Sequence, residues 1–238
     1  FAGFELIESP AAPVSYVTTA PPVDDTAQMQ QTINALRAHL AEHGLIASQG
    51  ISNLAGIQRL VDEAATGFEP LVAETARIYL EQIADLSSRI MKMEATLKQE
   101  AARSDASSRM MTMPGLGPIT AMAIEAFAPS LSVFKRSRDF SAWLGLVPRQ
   151  HSTGGKQILG RTSKMGQRDI RRLLIIGAMS VIRWASQKGT VPGTWLHAML
   201  LRKPRMVVAI ALANKMARGL WAMETRKEDY KDPRLVAA

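Results

Sequence analysis

Between positions 72 and 97, Val72, Ala76, Tyr79, Ile83, Leu86, Ile90, Met93 and Leu97 recur at alternating spacings of four and three. Such a repeat lies on one narrow face of an α-helix, and a stripe held this long needs another helix packed along it. The charged residues Glu81, Asp85, Arg89 and Lys92 fall outside the seam. Two partners would bury it. Met29, Ile33, Leu36 and Leu40 repeat the 4-3-4 spacing in a helix read from Thr26 to His43-Gly44, and a second copy of the chain could also supply the facing stripe. We expect self-association through residues 72–97 as a homo-oligomer of two or four copies, with intramolecular packing on the Met29–Leu40 helix as the alternative.

Around this stripe the chain reads as all-α. Residues 1–25 are proline-containing and without period, and are expected to be extended, disordered or a truncation remnant. Residues 26–108 form a helical coiled-coil region, with a short helical link between Gly50 and Gly67. Residues 109–226 form a second helical domain, and 227–238 a tail. In "MTMPGLGPITAMAIEAF" the Gly115-Leu116-Gly117 turn before Pro118 suggests a helix-hairpin-helix unit. Free amides at the following helix start would meet a phosphate. Further helices follow: one ending near Gly145, one marked by Ile170, Leu174, Gly177, Ala178, Ile182 and Ala185, and two more at 192–201 and 204–226. In the last, Val207, Val208, Ala211, Leu220 and Trp221 are expected on the buried side. No segment alternates as a strand.

Charge is distributed unevenly. From Lys135 to Arg218 seventeen Lys and Arg residues face only Asp139 and Asp169, so this segment carries +15 within a chain of net charge +8. Cations concentrated to that degree are a footprint for nucleic acid, because each neutralised phosphate releases counterions. Their spread over loops and several helices disfavours a membrane surface. No apolar run approaches a membrane span and no signal peptide opens the chain, so a cytoplasmic location is expected. With no cysteine and four scattered histidines, no metal site is expected in this chain.

The stretch "PRQHSTGGKQILGRTSKMGQRDIRR", 148–172, gathers hydroxyls, glycines and cations around a single acid. Arg168, Arg171 and Arg172 open a helix against its dipole, an arrangement better explained by a phosphate partner than by folding. Together with "MPGLGPITA", "AWLGLVP" and "INALRAHLAEHGLIASQG", this stretch resembles the transposases of the insertion-sequence family numbered 110, and most closely its 1111 subgroup. The likeness covers Gln30 to Met223. It implies a three-part protein: an N-terminal RNase H-like domain with an Asp-Glu-Asp-Asp metal site, a coiled coil, and a C-terminal domain with a nucleophilic serine. It also implies DNA as partner and, for some members, a guide RNA. Before the coiled coil this sequence has only Glu5, Glu8, Asp24 and Asp25, none at the end of an apolar strand. The expectation is therefore a C-terminal portion lacking the metal-binding domain, with no cofactor of its own; the family's divalent metal, Mg, belongs to that domain.

On the same resemblance Ser152 is the first-choice nucleophile and Thr153 the second, with Lys156, Arg161 and Lys164 screening phosphate charge during attack. Gly115, Gly117, Arg168, Arg171 and Arg172 complete the expected DNA-binding set, and His151 is a loop residue or a base. The function expected is that of a DNA-binding transposase portion, inactive without the metal domain. The alternatives are a serine recombinase assembled with another chain, and a coiled-coil partner or inhibitor of a full-length transposase.

Overall fold

The computed structural model describes residues 21–64, 70–151, 155 and 158–232. These are helical almost throughout, in two compact units, Phe1–Thr96 and Leu97–Ala238. The sequence places its break at 108; the contacts place it inside a long helix.

In the first unit, α1 (Pro21–Glu42) and α2 (Leu54–Ala64) pack with the N-terminal part of α3 (Pro70–Arg103). A 3₁₀ turn at Ile51–Asn53 leads into α2. Helix α1 begins at Pro21, where the sequence suggests extended chain. Proline is favoured in a first helical turn, since its missing N–H would have no partner there. Met29, Ile33, Leu36 and Leu40 are all buried, against Ala76, Ile83 and Leu86 of the heptad stripe. Three contacts fix the direction of the pair: Arg89 to Asp25 at 3.4 Å, Ser87 Oγ to Met29 Sδ at 3.3 Å, and His39 Nε2 to the Val72 carbonyl at 3.2 Å. As numbers rise along α1 they fall along α3, so the two helices are antiparallel. Of the two partners that would bury the seam, α1 of the same chain takes this role from Val72 to Ile90. A second copy is not needed to cover that stretch.

The second unit holds the end of α3, then α4 (Asp105–Met111), α5 (Pro118–Phe127), α6 (Ser137–Trp143), a two-stranded ribbon, α7 (Arg168–Lys188), α8 (Trp195–Arg202) and α9 (Arg205–Arg226). Phe140, Leu144, Ile170, Leu174, Ile182, Val208 and Leu220 form its dry centre. Helix α9 runs through that centre and packs on α4, α6, α7 and α8. It is, among the described residues, the one helix long and apolar enough to cross a membrane, yet its Val208, Ala209, Ala213, Ala217 and Leu220 are fully buried in this core. Val207, expected on the buried side, is exposed; the buried stripe starts one residue later at Val208. Two ion networks tie the unit together. Ser104 and Ser107 donate to Glu125, at 2.8 and 2.6 Å, while Arg109 and Lys227 both pair with buried Glu224.

Among the described residues a two-stranded ribbon is the only sheet. Strands β1 (Pro148–Gln150) and β2 (Leu159–Thr162) pair antiparallel with an irregular register. The stretch expected to hold no strand thus contains a pair of them.

Candidate functional site

The hairpin stands on a base made by backbone. From its incoming side Val147 and Gly145 offer carbonyls to the N–H groups of Ser163, at 2.8 Å, and Lys164, at 3.2 Å; Trp143 offers its own to Gln167. Arg149 Nη2 adds a bond to the Ser163 carbonyl at 3.3 Å. Two glycines permit this approach. Gly145, at φ 69°, lies against the Met165 carbonyl and Gly166, at φ 104°, against the Trp143 carbonyl, so that a Cβ at either would overlap backbone. Nearer the tip, the His151 N–H donates to the Ile158 carbonyl at 2.9 Å, and the His151 ring lies across Gly160. Ser152, Thr153 and Lys156 lie outside the described residues.

Around this base the cations separate into two kinds. Arg161, Lys164, Arg168 and Arg172 are exposed, and no carboxylate pairs with them among the described residues. Arg171 differs. It is half-buried, and its Nη1 donates to the Leu144 carbonyl at 3.0 Å, beside Gly145. Its charge therefore serves the junction between α6 and α7. Lys164 has a left-handed backbone, φ 55°, a conformation that its place in the laced base imposes.

The Gly115–Gly117 turn links α4 to α5, whose first residue is Pro118. Gly115, at φ 84°, packs against Gly177 of α7: a Cβ there would lie 2.6 Å from the Gly177 carbonyl oxygen and 2.7 Å from Val181 Cγ2. The reverse substitution would overlap the Gly115 carbonyl. Gly115 is thus required by packing within the unit. Gly117 has open space around it and an extended backbone, and its carbonyl accepts the first bond of α5 from Ala121.

A feature absent from the sequence reading is a groove of about 2320 Å³ between the hairpin base, the C-terminal half of α7, the 189–196 segment and α9. Its walls carry Trp184 and Trp195, with Arg161, Lys164, Lys188 and Lys215 among the cations around them. The 189–194 segment is held by Thr190 Oγ1 and His197 Nδ1 at 2.7 Å and by Thr194, which caps α8 through the His197 N–H. The i, i+4 pair Trp184 and Lys188 is visible in the sequence; Trp195 and Lys215, on different helices, are not.

Among the described residues no three His, Asp or Glu side chains gather as a metal site. Asp25, one of the acids before the stripe, is buried against α3 and paired with Arg89.

Residues 107–190 match the transposase family described as IS116/IS110/IS902. The chain is 43% identical over 202 residues to a probable family 20 transposase of Pseudomonas aeruginosa, an alignment covering 83% of this chain and 59% of that protein. It is 34% identical over 200 residues to the transposase for insertion sequence element IS1111A of Coxiella burnetii, covering 84% and 55%. With the transposase for IS1328 of Yersinia enterocolitica it shares 33% over 193 residues, covering 81% and 57%. The chain spans a little over half the length of these relatives.

Proposed function

We propose that the chain, whose residues 107–190 match the IS116/IS110/IS902 transposase family, is the DNA-engaging, serine-bearing C-terminal portion of an insertion-sequence transposase. The observation that carries this is the backbone-laced base of the hairpin inside the matched region, with Arg161, Lys164, Arg168 and Arg172 exposed around it. Unpaired cations at the start of α7 oppose the helix dipole, so a polyanion stabilises them where the fold does not.

In the proposed reaction the Ser152 hydroxyl attacks a DNA phosphodiester. The Oγ–P bond forms as the P–O bond to the departing sugar oxygen breaks, and the proton lost from Oγ to solvent is matched by one that solvent gives to the departing oxygen, which leaves as a hydroxyl. Bond energy is kept in the phosphoserine ester, so that a sugar hydroxyl can reverse the step onto a new partner. The nearby cations offset negative charge on the phosphoryl oxygens in the transition state. Turnover is assigned to the chain combined with the remaining length of its relatives, not to residues 1–238 alone.

The test is a covalent adduct. The chain, joined to the N-terminal portion of a full-length relative, is incubated with duplex carrying the element's ends and resolved under denaturing conditions. A protein–DNA adduct is expected, lost in Ser152→Ala with binding retained, and reduced modestly in Thr153→Ala. The reverse pattern moves the nucleophile to Thr153. An adduct indifferent to both changes overturns the covalent role of this loop.

A further inference from the structure

We infer that the groove between α7 and α9 binds an unpaired DNA strand, its bases stacking on Trp184 and Trp195. This rests on the reading of the chain as DNA-engaging, and adds to it a second site beside the serine loop.

Trp184 is 61% exposed and Trp195 is 37% exposed, both on the groove wall. Leaving large aromatic rings in water is unfavourable, and two of them on one concave surface are an informative exception to burial. Each ring carries a lysine: Lys188 Nζ lies 5.1 Å from the centre of Trp184, and Lys215 Nζ 5.0 Å from that of Trp195. Trp184 and Lys188 are one turn apart on α7, whereas Lys215 comes from α9 to meet a ring on α8. The same pairing is thus built twice from different elements. Arg161, Lys164, Arg218 and Arg226 line the same groove, and its acids all belong to the single segment 228–232. The walls built from the helices and the ribbon are therefore cationic.

A cationic groove with aromatic rings on its walls matches one ligand chemistry closely. In duplex DNA the base faces are already stacked, so a duplex can offer the groove only phosphates. An unpaired strand offers both phosphates for the lysines and arginines and base faces for the rings. The cation beside each ring helps to hold it and lies within reach of the phosphate flanking a stacked base. DNA is assigned over RNA because the relatives are transposases for insertion sequence elements, which are DNA.

The experiment uses the whole chain with oligo(dT) of about 12 nucleotides, the matching oligo(rU), and a duplex of the same length. Binding is followed by anisotropy of a labelled strand and by quenching of tryptophan emission. Trp184→Ala and Trp195→Ala should each weaken oligo(dT) binding about 5- to 100-fold with little change for duplex, and Trp184→Tyr should keep most of the affinity by retaining a ring. Melting of each variant is measured alongside; Trp184 is exposed enough that its removal leaves the core intact. Equal oligo(dT) affinity in both Ala variants overturns the inference, and duplex binding that persists in that case leaves the DNA-engaging reading standing. Trp-dependent binding of oligo(rU) with none of oligo(dT) also overturns it, by making the occupant RNA. Failure to bind strand or duplex removes the broader reading as well.

Discussion

Arg168, Arg171 and Arg172 look equivalent in the sequence, and the structure divides them, which gives a sharp double test. Arg171→Ala removes a charged donor from the Leu144 carbonyl at 3.0 Å. A hydrogen bond to a charged group contributes about 1.5–3 kcal/mol. At roughly 2–4 °C per kcal/mol for a unit near this size, the melting temperature should fall by about 3–12 °C. Arg168 and Arg172 are exposed at the positive end of α7. Converting both to Ala relieves the dipole by about 0.3–1 kcal/mol each, so melting should stay level or rise slightly. Their effect belongs in binding: if each contacts one phosphate, the slope of log affinity against log salt should become shallower by roughly 1.8. Thermal melting by circular dichroism and a salt titration of duplex binding read the two effects separately. Arg171→Ala melting like the unmodified chain, with the pair of surface changes leaving the salt slope intact, would refute the division.

Ile83 is fully buried against α1, so Ile83→Asp should lower the helicity of the first unit, a change well above 3 kcal/mol for an unpaired charge in a core. If light scattering instead shows an oligomer falling apart with helicity kept, the seam is shared between chains. Gly177→Ala forces a methyl into the Gly115 carbonyl and should cost about 1–3 kcal/mol in a denaturant titration; an unchanged midpoint would mean the turn and α7 are not in contact.

The heptad stripe and its complement on α1 are legible because a 4-3 spacing allows one face, and that face has to be buried. Its partner is not legible, since the period is the same for a neighbour in the chain and for a second copy. The antiparallel pair becomes evident only through contacts such as Arg89 with Asp25, between residues far apart in sequence. Residues 1–25 read as extended because they hold prolines and no period; at a first turn proline is permitted, and α1 begins at Pro21. The ribbon escapes for a different reason. Strands of three and four residues are too short to display alternation, and Gly160 interrupts the second.

At the candidate site, composition announces the cations without saying what each one does. Arg171 is assigned by a carbonyl 27 residues earlier in the chain, and no local pattern encodes that. The glycines follow the same logic. Gly145 and Gly166 read as loop punctuation, yet each is a place where two backbones meet closer than a Cβ allows. The consequence for function is that main-chain bonds at 143–147 and 163–167, together with the Arg149, Arg171 and Asn214 side chains, orient the hairpin. A change at Gly145 or Gly166, where the two backbones meet, should therefore lower melting and binding together, whereas Ser152→Ala is expected to alter the reaction with little effect on melting.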